Sequence, residues 1–189
     1  MSTARGAYHH GDLAVALERA AMELLAQRPA AEISLREVAR AADASHNAPY
    51  HHFADRRGLL KVLAERSMAA LLDDVRAAAA EASSPVDVVR RGGTAYIVFA
   101  VERSNAFAVI YDPTVCVPGA PTETMGPLIA SLETLLGEAS GRIGVDPTAV
   151  WGLVHGLGTL AAAGHFGLED AVTAFESALA RLTSPGSAT

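Results

Sequence analysis

The stretch from Ser34 to Phe53 constrains the fold more tightly than any other part of the chain. Ser34-Leu35-Arg36-Glu37 has capping-box spacing, in which a serine hydroxyl and a glutamate carboxylate each satisfy an amide left without a partner at a helix start. This predicts a short helix over 34–41. Ala42 to Ser45 leave four residues for a turn, and Asp43 stands where the backbone must turn left-handed, a conformation aspartate tolerates better than most residues. Ser45 then caps a third helix over 46–52, with Pro49 in its first turn, where a missing amide costs little. A helix that short does not persist alone, so its neighbours must brace it. Two helices joined by a tight turn, the second short and rich in polar side chains, make the helix-turn-helix arrangement.

The braces are legible on both sides. Leu13, Ala16, Leu17, Ala20, Leu24 and Leu25 recur at steps of three and four after Asp12, which lays one apolar stripe along a helix ending near Arg28 and Pro29. Asp55 caps a long helix running to Ser83, with Leu59, Leu60, Leu63, Met68, Leu71, Leu72 and Val75 as its buried side. Ser83-Ser84-Pro85 ends it. Further helices are expected over 86–103, 105–111, 122–140, 147–163 and 169–182, with Pro147 following an Asp146 cap. Asp112 to Pro121 carries three prolines and a glycine and reads as a loop. Alanine is abundant and no alternating β-branched runs recur, so the expectation is an all-α chain of about nine helices.

Several of these stretches resemble one family. Tyr8-His9-His10-Gly11-Asp12-Leu13, the run SLREVARAA over 34–42, and S-x-x-A-P-Y-x-H-F from Ser45 to Phe53 followed by Asp55 and Leu59-Leu60 are similar to the DNA-binding domain of the TetR family of bacterial transcriptional repressors. WGLVHGL over 151–157 resembles the Trp-His-Gly signature of one regulatory-domain subtype in that family. The chain departs from the family's pattern at three places: Asp43 where glycine is usual, Asn47 where a small residue is usual, and Arg57-Gly58 where an acid and alanine are common. The resemblance implies a helix-turn-helix DNA-binding domain over 1–55 and a helical ligand-binding and dimerisation domain over 56–189. It implies a ligand-responsive regulator, in the first instance a repressor, that binds a palindromic operator as a homodimer and is released by a small-molecule effector. Activation by the same fold is the alternative.

Charge supports that division of labour. The net charge of −6 hides an uneven spread: residues 1–61 hold eight basic against seven acidic residues and five of the seven histidines, whereas 62–189 hold seven basic against 14 acidic. The first third is the part suited to a polyanion. With 189 residues, half of them apolar, the chain can bury one large core or two small ones. A single cysteine, Cys116, suits a reducing compartment, and no basic-then-apolar leader opens the sequence, so a cytoplasmic location is expected.

His46, His51 and His52 need separate weighing. At about 100° per residue they point in widely separated directions, and no cysteine or paired carboxylate converges on them, so a metal site is not expected. Tyr50 and His52 could cap or pack. The competing role is DNA contact, because histidine, asparagine, serine and tyrosine can donate to phosphates or base edges. Ser45, His46, Asn47 and Ala48 are expected to face the major groove, Asn47 bonding adenine and Ala48 touching a thymine methyl. Arg36 matches a family position that reaches a base or phosphate, its alternative being a solvated arginine. Ser34, Tyr50, His51, His52 and Arg56 fit phosphate contacts, and Tyr8, His9 and His10 an arm beside the duplex.

The second domain offers a candidate pocket and a candidate interface. Tyr96, Phe99, Arg103, Phe107, Tyr111, Met125, Trp151 and His155 could surround a small apolar molecule with a few polar contacts, Arg103 pairing with an acidic group; the alternative is that they form the domain core. Pro147 to Leu168 holds no Asp, Glu, Lys or Arg over 22 residues, long enough to span a bilayer. Five glycines, two histidines and the lack of a basic flank argue instead for a helix buried on all sides. Gly152, Gly156, Thr159 and Ala163 form a small-residue stripe there, and Val172, Phe175, Leu179 and Leu182 recur along the last helix. Two such helices from each subunit would make a four-helix dimer interface. No Ser-His-Asp order, glycine-rich phosphate loop or paired metal spacing supports an enzyme, so neither catalysis nor a cofactor is expected. A small helical enzyme using His155, His165, Glu102 or Cys116 is the competing class.

Overall fold

The computed structural model describes residues 5–117 and 119–184, with side chains from Leu13 onward. The arm expected at Tyr8, His9 and His10 therefore falls, as side chains, outside the described residues. Every regular element among the described residues is helical: α1 (Arg5–Gln27), a 3-10 turn (Ala30–Glu32), α2 (Leu35–Ala41), α3 (Ala48–His52), α4 (Arg56–Ala80), α5 (Pro85–Glu102), α6 (Ser104–Ile110), α7 (Met125–Arg142), α8 (Pro147–Ala162) and α9 (Leu168–Thr183). The all-α expectation holds. The chain divides into two compact units, one made of the described part of Met1–Ser67 with Asn105–Pro121, the other of Met68–Ser104 with Thr122–Thr189.

In the first unit the capping box forms as the sequence predicts. The Ser34 hydroxyl accepts from the Glu37 amide at 3.3 Å, and the Glu37 carboxylate accepts from the Ser34 amide at 3.0 Å. Those bonds, led by the one from the Ser34 hydroxyl, together with Arg28 from the end of α1, hold the Glu37 carboxyl below the usual carboxylate range. Asp43 has φ 51, alone among described non-glycine residues in being left-handed. Leu17, Leu25, Ile33, Val38, Phe53, Leu59 and Leu63 are buried and make the core that braces α3. Two details differ from expectation. α1 starts at Arg5 instead of after Asp12, because its first turns lack the apolar stripe that marks the rest. α3 starts at Ala48 with Asn47 as its N-cap, and no side chain caps it; Ser45 contributes its backbone carbonyl to the Ala48 amide at 2.9 Å.

The second unit is built around α5, which packs against α7, α8 and α9. Two glycines make this close approach possible. A Cβ placed on Gly93 would lie 2.3 Å from the Phe175 ring, and one on Gly92 3.1 Å from Leu136. Asp146 caps α8, accepting from the Thr148 and Ala149 amides at 2.7 and 3.1 Å. At the start of α5, bonds from the Ser83 amide and then from Arg90 and Arg91 hold the Asp87 carboxyl down at about 2. The uncharged stretch is not buried on all sides in the single chain. Val150, Val154, Gly158 and Ala161 are buried, while Gly152, Thr159 and Ala163 are exposed and Trp151 and Leu160 keep 46% and 44% of their surface open. No helix among the described residues is long and apolar enough to cross a membrane.

α9 brings a correction to the expected interface. Phe175 and Leu179 are buried inside the unit, Phe175 with its ring against Gly93, so neither has surface to offer a second chain. The stripe on α9 is spent on its own α5 and α8. Val172 is half-buried and Leu182 exposed.

Candidate nucleic-acid interface

α3 presents a polar surface on an apolar foot. Ala48, Pro49 and Phe53 are buried, whereas Ser45, His46, Asn47, Tyr50 and His51 are exposed, Tyr50 with 51% of its surface open. Arg36 on α2 is also exposed. Ordinary packing produces this split: with its apolar residues on one side, a five-residue helix must turn its remaining side chains outward. The exposed set has the donors and acceptors that base edges and phosphates use.

Four of the expected contact residues are engaged within the chain. Ala48 is only 6% exposed and belongs to the core, so it has no methyl to offer a thymine. The Ser34 hydroxyl donates to Glu37 Oε2 at 2.7 Å while accepting from its amide, which commits it to the cap. Arg56 Nη2 donates to the carbonyls of Ala30 and Ala31 at 3.3 and 2.9 Å, tying the start of α4 to the 3-10 turn. His52 Nε2 lies 3.0 Å from Glu18 Oε1, a partner within the chain for this histidine. Glu18, unmarked in the sequence, also accepts from Arg66 Nε at 2.8 Å. Its only signal was an acid beside the apolar stripe of α1. Arg57, a departure from the family pattern, donates through Nε to the Thr114 carbonyl at 3.0 Å. No group of three or more potential metal ligands occurs among the described residues.

In the second unit Tyr96, Trp151 and His155 come together. The Tyr96 oxygen lies 2.9 Å from His155 Nδ1, and the Trp151 ring is tilted against the imidazole at 5.5 Å. Burial pushes the His155 imidazole below its usual range, so the neutral ring is favoured and the tyrosine hydroxyl can donate to it. Tyr96, Phe99 and Met125 are buried as core residues. The Arg103 guanidinium stands 5.1 Å over the Phe99 ring and pairs with Asp74 at 3.3 Å, so its charge already has an acidic partner in the chain. Phe107 and Tyr111 pack on each other at 5.2 Å in the first unit. Half-buried Cys116 lies in the loop after α6.

Comparison with known proteins finds the same two regions. The model of bacterial regulatory proteins of the tetR family matches residues 18–63, and that of the tetracyclin repressor-like C-terminal domain matches 89–182. No curated protein matches the sequence. Among solved structures, a protein of unknown function from Rhodococcus sp. RHA1 is 29% identical with a TM-score of 0.73, covering 92% of this chain and 96% of that one. A TetR transcriptional regulator from the same organism is 19% identical with a TM-score of 0.65, covering 92% and 96%. AibR, solved in complex with isovaleryl coenzyme A and operator DNA, is 19% identical with a TM-score of 0.62 and covers 92% and 100%.

Proposed function

Because the chain belongs to the TetR family of bacterial regulatory proteins, we propose that it is a ligand-responsive transcriptional repressor that reads a palindromic operator as a homodimer. The observation that carries this reading is the exposed row of Ser45, His46 and Asn47 leading into α3 and Tyr50 and His51 on it, the helix being anchored by Ala48, Pro49 and Phe53. His46 and Asn47 specify bases in the major groove; Tyr50, His51 and Arg36 bond phosphates. Residues 1–55 do the reading, and 56–189 pair the subunits and hold the effector. Pairing matters because two such helices, one duplex turn apart, recognise an inverted repeat that one alone binds too weakly.

The uncovered face of α8 supports the pairing. Gly152 and Gly156 have nothing within 4 Å of the position a Cβ would take, and Trp151 and Leu160 beside them are exposed apolar residues. A second copy of the same face would bury them. For the effector, the Tyr96–His155–Trp151 group supplies polar atoms within an apolar unit, the make-up of a site for a small, mostly apolar molecule. AibR, solved with both an acyl-coenzyme A and operator DNA, supports a fold that can hold both kinds of ligand. An effector that binds only the non-operator state releases DNA through that difference in affinity.

Asn47→Ala tests the base-reading role. On a panel of operator variants it is expected to change relative affinities by about 1–3 kcal/mol at the position it reads, with the salt dependence unchanged. Uniform weakening across the whole panel would make Asn47 a backbone contact instead.

A further inference from the structure

We infer that Glu18 is a positioning residue for DNA reading, the pin that sets the attitude of α3; the inference rests on the regulator reading. α3 is five residues long and is anchored by the apolar side chains of Ala48, Pro49 and Phe53. Apolar burial is non-directional, so it sets which side of the helix faces inward but leaves its finer attitude to directional bonds. The directional restraint sits at its far end. His52 Nε2 meets Glu18 Oε1 at 3.0 Å, and the imidazole and Phe53 rings meet edge to face at 4.5 Å between centroids. The second carboxylate oxygen, Oε2, accepts from Arg66 Nε at 2.8 Å and from Nη2 at 2.5 Å. One carboxylate on α1 therefore holds the end of α3 and the flank of α4 together.

Burial favours a restraint of this kind. The Glu18 side chain is 19% exposed, so its bonds are screened less than those of the exposed pair Arg19–Glu23. Charge-assisted bonds at these distances are the directional ones. The role also has a sign that simple electrostatics does not share. An acid close to a DNA-reading helix repels phosphate, so removing a carboxylate that positions nothing would strengthen binding and release His52 and Arg66 towards the duplex. A pin predicts weaker binding.

The test uses the full chain and, as probe, the tightest duplex that the wild-type protein recovers from a random pool. Glu18→Ala is expected to bind it about tenfold more weakly with an unchanged salt slope. Amide exchange in α3 should quicken about tenfold while α2 stays protected. Glu18→Gln, which keeps an oxygen for His52, should recover most of the affinity. Should Glu18→Ala unfold, Arg66→Met frees one carboxylate oxygen and leaves α4 a good helix former, with an expected loss of about threefold. Equal or tighter binding by Glu18→Ala with a steeper salt slope, or unchanged exchange in α3, would overturn the inference. If the wild-type protein recovers no duplex, the regulator reading falls, and the exchange measurement on the free protein still decides whether Glu18 pins α3.

Discussion

Phe175→Ala lowers the stability of the unit built on α5, α8 and α9 by about 3–5 kcal/mol, the usual result of emptying a large aromatic site in a well-packed core. The magnitude belongs at the upper end because the site cannot easily collapse. Phe175 is fully buried, and its ring fills the space left by the missing side chain of Gly93, with Val154 lining the same spot. Three helices meet there, so inward relaxation of one would disturb the packing of the other two. Chemical denaturation followed by circular dichroism measures the loss. Gly93→Ala is the complementary change: its new methyl would overlap the Phe175 ring, and overpacking of a rigid site carries its own cost of about 1–3 kcal/mol. A variant at Phe175 as stable as the wild type would mean that α9 does not seat on α5 as described.

The largest functional effect is expected at Gly156. In the single chain a Cβ placed on Gly156 meets nothing within 4 Å, so a flexible side chain there can start into open space. Arginine is also the better helix former by about 0.5–1 kcal/mol, so Gly156→Arg should fold at least as well as the wild type. In the proposed dimer, between two closely approaching copies of α8, the same side chain would have no room and its charge no partner. Gly156→Arg is therefore expected to sediment as a monomer at micromolar concentration and to bind its operator about a hundredfold or more weakly, because the second half-site no longer adds to the first. A variant that remains a dimer would remove α8 from the interface.

What could be read from the sequence divides by the range of the interactions involved. The capping box at Ser34 and Glu37, the left-handed Asp43 and the Asp146–Pro147 helix start depend on neighbours a few residues away, and all are present in the structure. Helical periodicity likewise placed α2, α5, α8 and α9 within a residue or so of their ends. The departures come from partners distant in the chain. His52 finds Glu18 34 residues earlier, Arg56 finds carbonyls 25 and 26 residues earlier, and Arg103 finds Asp74. No local pattern distinguishes such a side chain from one free to contact a ligand. Ala48 is the same case for packing, since a small residue at a helix start fits a groove or a core equally well. On α9 the apolar stripe showed that Phe175 and Leu179 would be buried but not whether their own chain or a second copy would cover them. On α8 the absence of charge hid a division between a covered face and an open one.

Sequencing of the duplexes that the full chain enriches from a random pool tests the central claim most directly. A paired reader built on α3 predicts an enriched inverted repeat whose half-sites lie about one helical turn, or a small multiple of it, apart. Enrichment of a single asymmetric site, or of no sequence over the starting pool, would contradict it.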